Sequence, residues 1–167
     1  VNISPSHFLD KAIVPLIKHT IDATGIDPSG LELEVTEGVV QTDQRNLSVF
    51  KDLKDLGIRL AIDDFGTGYS SFASLKHLNV DCLKIDKYFV DDMTTNETSL
   101  TLISSMIDMG HKLGYEITAE GVETSDQFLA LKQLACKNAQ GYLFSKPVNA
   151  DEITALLHQQ KSLKLTG

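Results

Sequence analysis

The run Leu60-Ala61-Ile62-Asp63-Asp64-Phe65-Gly66-Thr67-Gly68 carries an apolar stretch straight into two adjacent carboxylates and a glycine-rich turn. Continuous apolar runs of this kind read as buried parallel strands. Paired acids at the end of one are costly to bury unless a cation or several donors satisfy them. Capping does not account for both acids, because no helix begins within one residue of them. Polar residues end other strand-like runs as well: Asn2, Glu34 with Glu37, Lys84 with Asp86, Glu120 with Glu123, and Gln140. The set holds oxygen donors and one lysine, without imidazole or thiolate, which selects hard cations such as Mg2+ or Mn2+ over zinc. So many acids at one mouth repel one another, and two divalent ions would offset that repulsion. Such a pair suits water attack on a phosphodiester.

Lys84 is flanked by the core-type residues Leu83 and Ile85, which forces it onto the opposite face of its strand. There it reads either as the fixed cation of the mouth, placed to position a water or neutralise developing charge, or as a surface lysine. Glu37 and Glu123 precede helical stretches and would also suit those helix N-termini. His7, His19, His77, His111 and His158 lie away from the strand ends and read as structural or solvated. No serine sits in a nucleophile elbow. Asp64-Phe65-Gly66 lacks the His-Arg-Asp loop and the glycine-rich nucleotide loop that a kinase requires.

The elements that must position these residues alternate. Strand candidates are Val1–Ser4, Leu31–Thr36, Arg59–Asp63, Cys82–Asp86, Glu116–Ala119 and a weak one at Asn138–Gly141. Helical spacing separates most of them. One helix starts close to Ala12, since Pro15 is tolerable only in a first turn, and stops at Gly25 and Pro28. A second carries Leu47, Phe50 and Leu53, with Thr42 as N-cap and Gly57 at its C-terminus. Glu97–Leu113 places Leu100, Ile103, Met106, Ile107 and Leu113 on one face and closes at Gly114. Thr124 with Gln127 is a capping box, and Asn149 with Glu152 repeats it. This rhythm predicts an α/β protein with a parallel sheet and right-handed crossovers. The dinucleotide-binding Gly-x-Gly-x-x-Gly is missing, and functional residues end nearly every strand, as at the mouth of a TIM-type barrel.

At 167 residues and 42% hydrophobic, the chain is sized for one domain. Its formal charge of -8 and pI near 5.0 argue against a nucleic-acid polymer or an anionic membrane as partner. Cys82 and Cys136 have neither metal spacing nor disulfide density and read as reduced thiols in a cytoplasmic protein. No apolar run is long enough to span a bilayer. The chain opens at Val1, already in a strand-like stretch, as an excised piece would.

Six ordered motifs resemble the EAL domain family of bacterial cyclic di-GMP phosphodiesterases. They are Val1-Asn2-Ile3-Ser4; Leu31-Glu32-Leu33-Glu34-Val35-Thr36-Glu37; Asp63-Asp64-Phe65-Gly66-Thr67-Gly68-Tyr69-Ser70-Ser71; Leu83-Lys84-Ile85-Asp86; Ala119-Glu120-Gly121-Val122-Glu123-Thr124; and Gln140-Gly141-Tyr142-Leu143-Phe144. The resemblance implies a TIM-type (β/α) barrel, of which residues 1–167 form the C-terminal part of one EAL domain, with six or so strands. It implies hydrolysis of cyclic di-GMP to linear pGpG with Mg2+ or Mn2+. Asn2, Glu34, Asp63 and Asp64 would be metal ligands. Lys84 would hold the catalytic water, Glu120 would support the metals, and Gln140 and Asp86 would lie near substrate. Glu37 and the loop Phe65, Gly66, Thr67, Gly68, Tyr69, Ser70 and Ser71 would order the metal site and reach the partner of a homodimer. GGDEF or sensor domains accompany such domains, and a longer protein could be membrane-anchored.

The Glu-Ala-Leu motif that names the family lies upstream of the Val-Asn-Ile strand, and the present sequence does not contain it. Its glutamate is itself a metal ligand. The expectation is therefore a competent parent phosphodiesterase and a weakly active or inactive isolated piece. The alternative is a catalytically inactive EAL domain that senses cyclic di-GMP or serves as a dimerisation module.

Overall fold

Residues on a strand alternate between two faces, and here the faces differ in chemistry. The computed structural model describes residues 1–39, 44–68, 75 and 78–158, with the backbone alone for 44–47. Its strands are β1 (Asn2–Ile3), β2 (Glu32–Thr36), β3 (Arg59–Phe65), β4 (Cys82–Ile85), β5 (Glu116–Ala119) and β6 (Asn138–Ala139). Leu33, Val35, Leu60, Ile62, Leu83, Ile85, Ile117 and Ala119 are buried in one apolar core. The alternate positions, which include Glu34, Asp63, Cys82 and Lys84, make up the other face.

All neighbouring strands are parallel, and the sheet order is β1-β2-β3-β4-β5-β6. The order never reverses, as it would in a doubly wound sheet. With the right-handed crossovers that parallel strands take, such an order lays the connecting helices on one face, which is the barrel arrangement. Among the described residues β1 pairs only with β2 and β6 only with β5, so the barrel is not closed.

The described α-helices are α1 (Pro5–Phe8), α2 (Ile13–Thr24), α3 (Gln44–Asp55), α4 (Lys87–Val90), α5 (Glu97–Leu113), α6 (Ser125–Gln133) and α7 (Ala150–His158), and 3-10 turns lie at Pro28–Gly30 and Glu37–Val39. Ala12 precedes α2, as Pro15 requires. Left-handed Gly114 ends α5, with φ of 87°. The Thr124 capping box is complete, and Asn149 Oδ1 accepts from Glu152 N at 3.0 Å. The expected Thr42 cap lies outside the described residues. Two short helices were not foreseen: α1 opens on Ser4-Pro5, and α4 is capped by Asp86.

One expectation about α5 is corrected. Ile103, Ile107 and Gly110 are buried, whereas Leu100 and Leu113 are exposed. The helix has 17 residues and extends about 25 Å. The four-residue strands beneath it reach only about 13 Å, so the terminal turns overhang the sheet. No described helix is long and apolar enough to cross a membrane.

The close approach at the β6 exit fixes the place of Gln140. Val122 N donates to Gln140 O at 3.0 Å, and a Cβ on Gly141 would lie 2.1 Å from Val122 O. Backbone atoms cannot step aside as a flexible side chain can. Gly141→Ala is expected to destabilise the fold by about 1–3 kcal/mol, read as a lower urea midpoint. An unchanged midpoint would contradict this packing.

Candidate active site

The carboxyl ends of β2, β3, β4 and β5 bring Glu34, Asp63, Lys84 and Glu120 together. Lys84 is 4% exposed, which rules out the surface-lysine reading. Its Nζ lies 2.9 Å from Glu34 Oε1, 2.7 Å from Glu120 Oε1 and 3.4 Å from Asp63 Oδ1. Burial works against the ammonium charge, but the hydrogen bonds to Glu120 and Glu34, with the charges of Glu120 and Asp63, together outweigh it. The lysine is held above its ordinary range. Glu120 is also raised, first by burial and then by the charges of Asp63 and Glu34, with Lys84 opposing. Several carboxylates around one ammonium raise Lys84, and that ammonium, shared among them, does not offset the burial that raises Glu120.

Asp63 Oδ1 is buried. Its 3.4 Å contact with Lys84 is close enough for an ion pair but does not meet hydrogen-bond geometry, so the oxygen has no hydrogen-bond partner in the structure. A buried acceptor left this way is costly.

A β-bulge adds a second acid. The register runs from Ile62↔Leu83 to Phe65↔Ile85, so Asp63 and Asp64 together oppose Lys84. Asp64 takes φ of 54°, a left-handed conformation that aspartate tolerates better than most residues. The extra residue returns Phe65 to the core, where it is buried, and turns Asp64 toward the mouth. Oxygens of Asp63, Asp64 and Glu120 lie within 4.8 Å of one another. Asp64 faces solvent in part, yet its carboxyl is pushed up, first by partial desolvation, then by its hydrogen bond with Asp86 and by the Asp63 charge. The donor set is all oxygen, it is short of positive charge, and it includes an orphaned buried acceptor. It fits a hard divalent cation.

The turn after β3 is held from below. Glu37 is 4% exposed, and its Oε2 accepts from Gly66 N and Gly68 N, each at 3.1 Å. Gly66 has φ of 98°, and a Cβ there would strike Met106 and Phe89, so glycine is required. Thr67 Oγ1 donates to Asp64 O at 2.9 Å. Tyr69, Ser70 and Ser71 lie outside the described residues.

The other expected residues stand around this centre. Asn2 is beside Glu34 by register but exposed. Asp86 caps α4, accepting from Tyr88 N at 2.7 Å. Gln140 is exposed and, with Lys87, Glu120, Gly121, Glu123 and Tyr142, lines a cavity of about 280 Å³. A larger cavity of about 560 Å³, lined by Glu37, Phe65 and Met106 among others, lies on the α5 side of the turn, and Glu34, Asp63, Asp64 and Glu120 do not line it. Described histidines are exposed, and both cysteines are free.

Residues 1–147 match the family model for the EAL domain. The chain belongs to the EAL domain family. Over 149 residues it is 38% identical to the cyclic di-GMP phosphodiesterase NbdA of Pseudomonas aeruginosa, covering 89% of this chain and 19% of that protein. Among solved structures it resembles the PaMucR phosphodiesterase in its c-di-GMP complex, with 35% identity and a TM-score of 0.88, covering 92% of this chain and 62% of that one. It also resembles BlrP1 of Klebsiella pneumoniae in a manganese and cyclic di-GMP complex, with 34% identity and a TM-score of 0.80 over 88% of this chain and 38% of that one. The chain spans about a fifth of the length of the curated relatives it matches.

Sequence reasoning missed two contributors to this EAL domain. Lys87 pairs with Glu123, and its position directly after Asp86 was the available signal. Gln127 was read only as part of a capping box, and its donor side escaped notice.

Asp64 and Glu120 have raised folded pKa values, so the folded state binds more protons than the unfolded chain as the pH rises through their titration. Stability must therefore fall with rising pH in that window, above the unfolded carboxyl values of about 4. Asp64→Asn keeps the left-handed turn and removes one charge. It is expected to raise the melting temperature of the metal-free chain at neutral pH while weakening Mn2+ binding about 10-fold or more. A lower melting temperature with unchanged Mn2+ affinity would contradict the assignment.

Proposed function

We propose that this chain carries the acidic mouth of a divalent-cation-dependent phosphodiesterase that cleaves cyclic di-GMP to linear pGpG. The observation that carries the proposal is the buried Lys84 ammonium set among Glu34, Asp63 and Glu120, next to the second carboxylate that the bulge supplies. The name of one relative and the contents of similar structures support the substrate.

Asp63, Asp64 and Glu120, with Glu34 and Asn2 beside them, would hold Mg2+ or Mn2+, two ions in the full domain. Bound there, such cations supply Lewis acidity for water attack on a phosphodiester. Lys84, kept protonated, cannot act as a general base. It donates hydrogen bonds, so its role is to orient the attacking water and to place fixed positive charge beside the reacting phosphate. Gln140 and Asp86 would lie against the substrate, and the Phe65–Ser71 loop would reach a second copy in a homodimer. Residues 1–167 act as the C-terminal part of a single EAL domain.

The test is incubation of the chain with cyclic di-GMP and Mn2+, followed by chromatographic detection of linear product. A Lys84→Ala change is expected to lower turnover by about 10²-fold or more while Mn2+, whose charge offsets the carboxylates that the change leaves unpaired, is still bound. Unchanged turnover would remove lysine from the mechanism. Ligand binding with no linear product, in this chain and in a version extended at its amino end, would favour a sensor instead.

A further inference from the structure

We infer that Gln127 is a positioning residue that holds two loops of the acidic mouth in fixed relation, an inference that rests on the cation site proposed above. Gln127 begins as an N3 residue whose backbone N–H is taken by Thr124 Oγ1 at 3.2 Å. Its side chain then works outward. Oε1 accepts from Glu123 N at 2.8 Å and from Thr124 N at 3.0 Å, while Nε2 donates to Val90 O at 3.1 Å and to Asp91 O at 3.3 Å. The residue is 5% exposed, so water has little access to its side chain.

Each loop bears acids of the mouth. The first leaves β5 with Glu120 and passes through Gly121 to Glu123. The second begins at Asp86, which meets Asp64, and continues through α4 to Val90 and Asp91. One amide therefore ties the backbone behind Glu120 to the backbone behind Asp86. A primary amide is the side-chain group that both accepts two N–H bonds and donates two. Its orientation is fixed, because a flipped amide would turn its NH2 toward two backbone N–H donors. A capping box alone needs only the acceptor side, which glutamate also offers. The donor side is thus the part that capping leaves unexplained, and it crosses to the other loop.

The test uses the whole chain, with Mn2+ affinity measured by titration calorimetry at about pH 8 and about pH 5.5, on either side of the range expected for a buried carboxyl. Gln127→Met neither accepts nor donates and is expected to weaken Mn2+ binding about 10-fold or more at both values. Gln127→Glu keeps the acceptor side and sets a carboxylate against the carbonyls of Val90 and Asp91. It is expected to bind weakly at the higher pH and to approach the parent at the lower one, where a proton restores a donor. Every charged group around residue 127, Asp91, Glu123 and Lys87 included, is the same in parent and variant at a given pH, so the ratio of the two affinities isolates residue 127. A purely structural role would lower the melting temperature and leave that ratio near one, which overturns the inference. If Gln127→Met does not fold, a pH-independent ratio for Gln127→Glu overturns it instead. Failure of the parent to bind Mn2+ at all would overturn the cation site, and this inference with it.

Discussion

The ammonium of Lys84 holds this mouth together and leaves it incomplete. It touches carboxylates from β2, β3 and β5, so it links the strand ends across the sheet. Breaking a buried ion pair by removing one partner costs about 3–5 kcal/mol, because the remaining charge stays buried. Removing Lys84 would strand three carboxylates at once. One positive charge does not neutralise three: Glu120 is raised by burial, with the charges of Asp63 and Glu34 adding to it, and Asp63 Oδ1 has no hydrogen-bond partner.

The surrounding backbone maintains this imbalance. The bulge in β3 spends a left-handed residue to bring Asp64 to the mouth beside Asp63, although the two acids repel each other. Glu37 secures the next turn through two glycine N–H groups, and Gly66 fits where no side chain would. Gln127 fixes the loops behind Glu120 and Asp86. A fold that uses this many contacts to hold unfavourable charges together fits a cation that brings net positive charge.

Much of this was legible in the residues. Leu83 and Ile85 around Lys84 dictated its face by alternation alone, and the oxygen-only donor set indicated a hard cation. The parallel sheet followed from alternating strands and capped helices, with boundaries moved by a residue or two. The bulge was not legible, because nothing local distinguishes a left-handed Asp64 from a simple strand residue. The residues by themselves hid the partner of Glu37, which only the family resemblance set beside the loop from Phe65: a glutamate before a helical stretch looks like a dipole contact, and its acceptor role depends on a turn some thirty residues later. The overhang of α5 escaped for another reason. Helical spacing gives the face of a residue but not the length of the strand beneath it.

The charge balance at the mouth is read most simply from the melting temperature of the unmodified chain at neutral pH, with and without Mn2+. A cation that binds only the folded state raises stability by about 2.7 kcal/mol when present at about 100 times its dissociation constant. The charge deficit around Lys84 predicts a clear, saturable rise with Mn2+ that disappears at acid pH as the carboxylates take up protons. A melting temperature indifferent to millimolar Mn2+ at neutral pH would mean that Lys84 alone satisfies the mouth and that no cation site exists there.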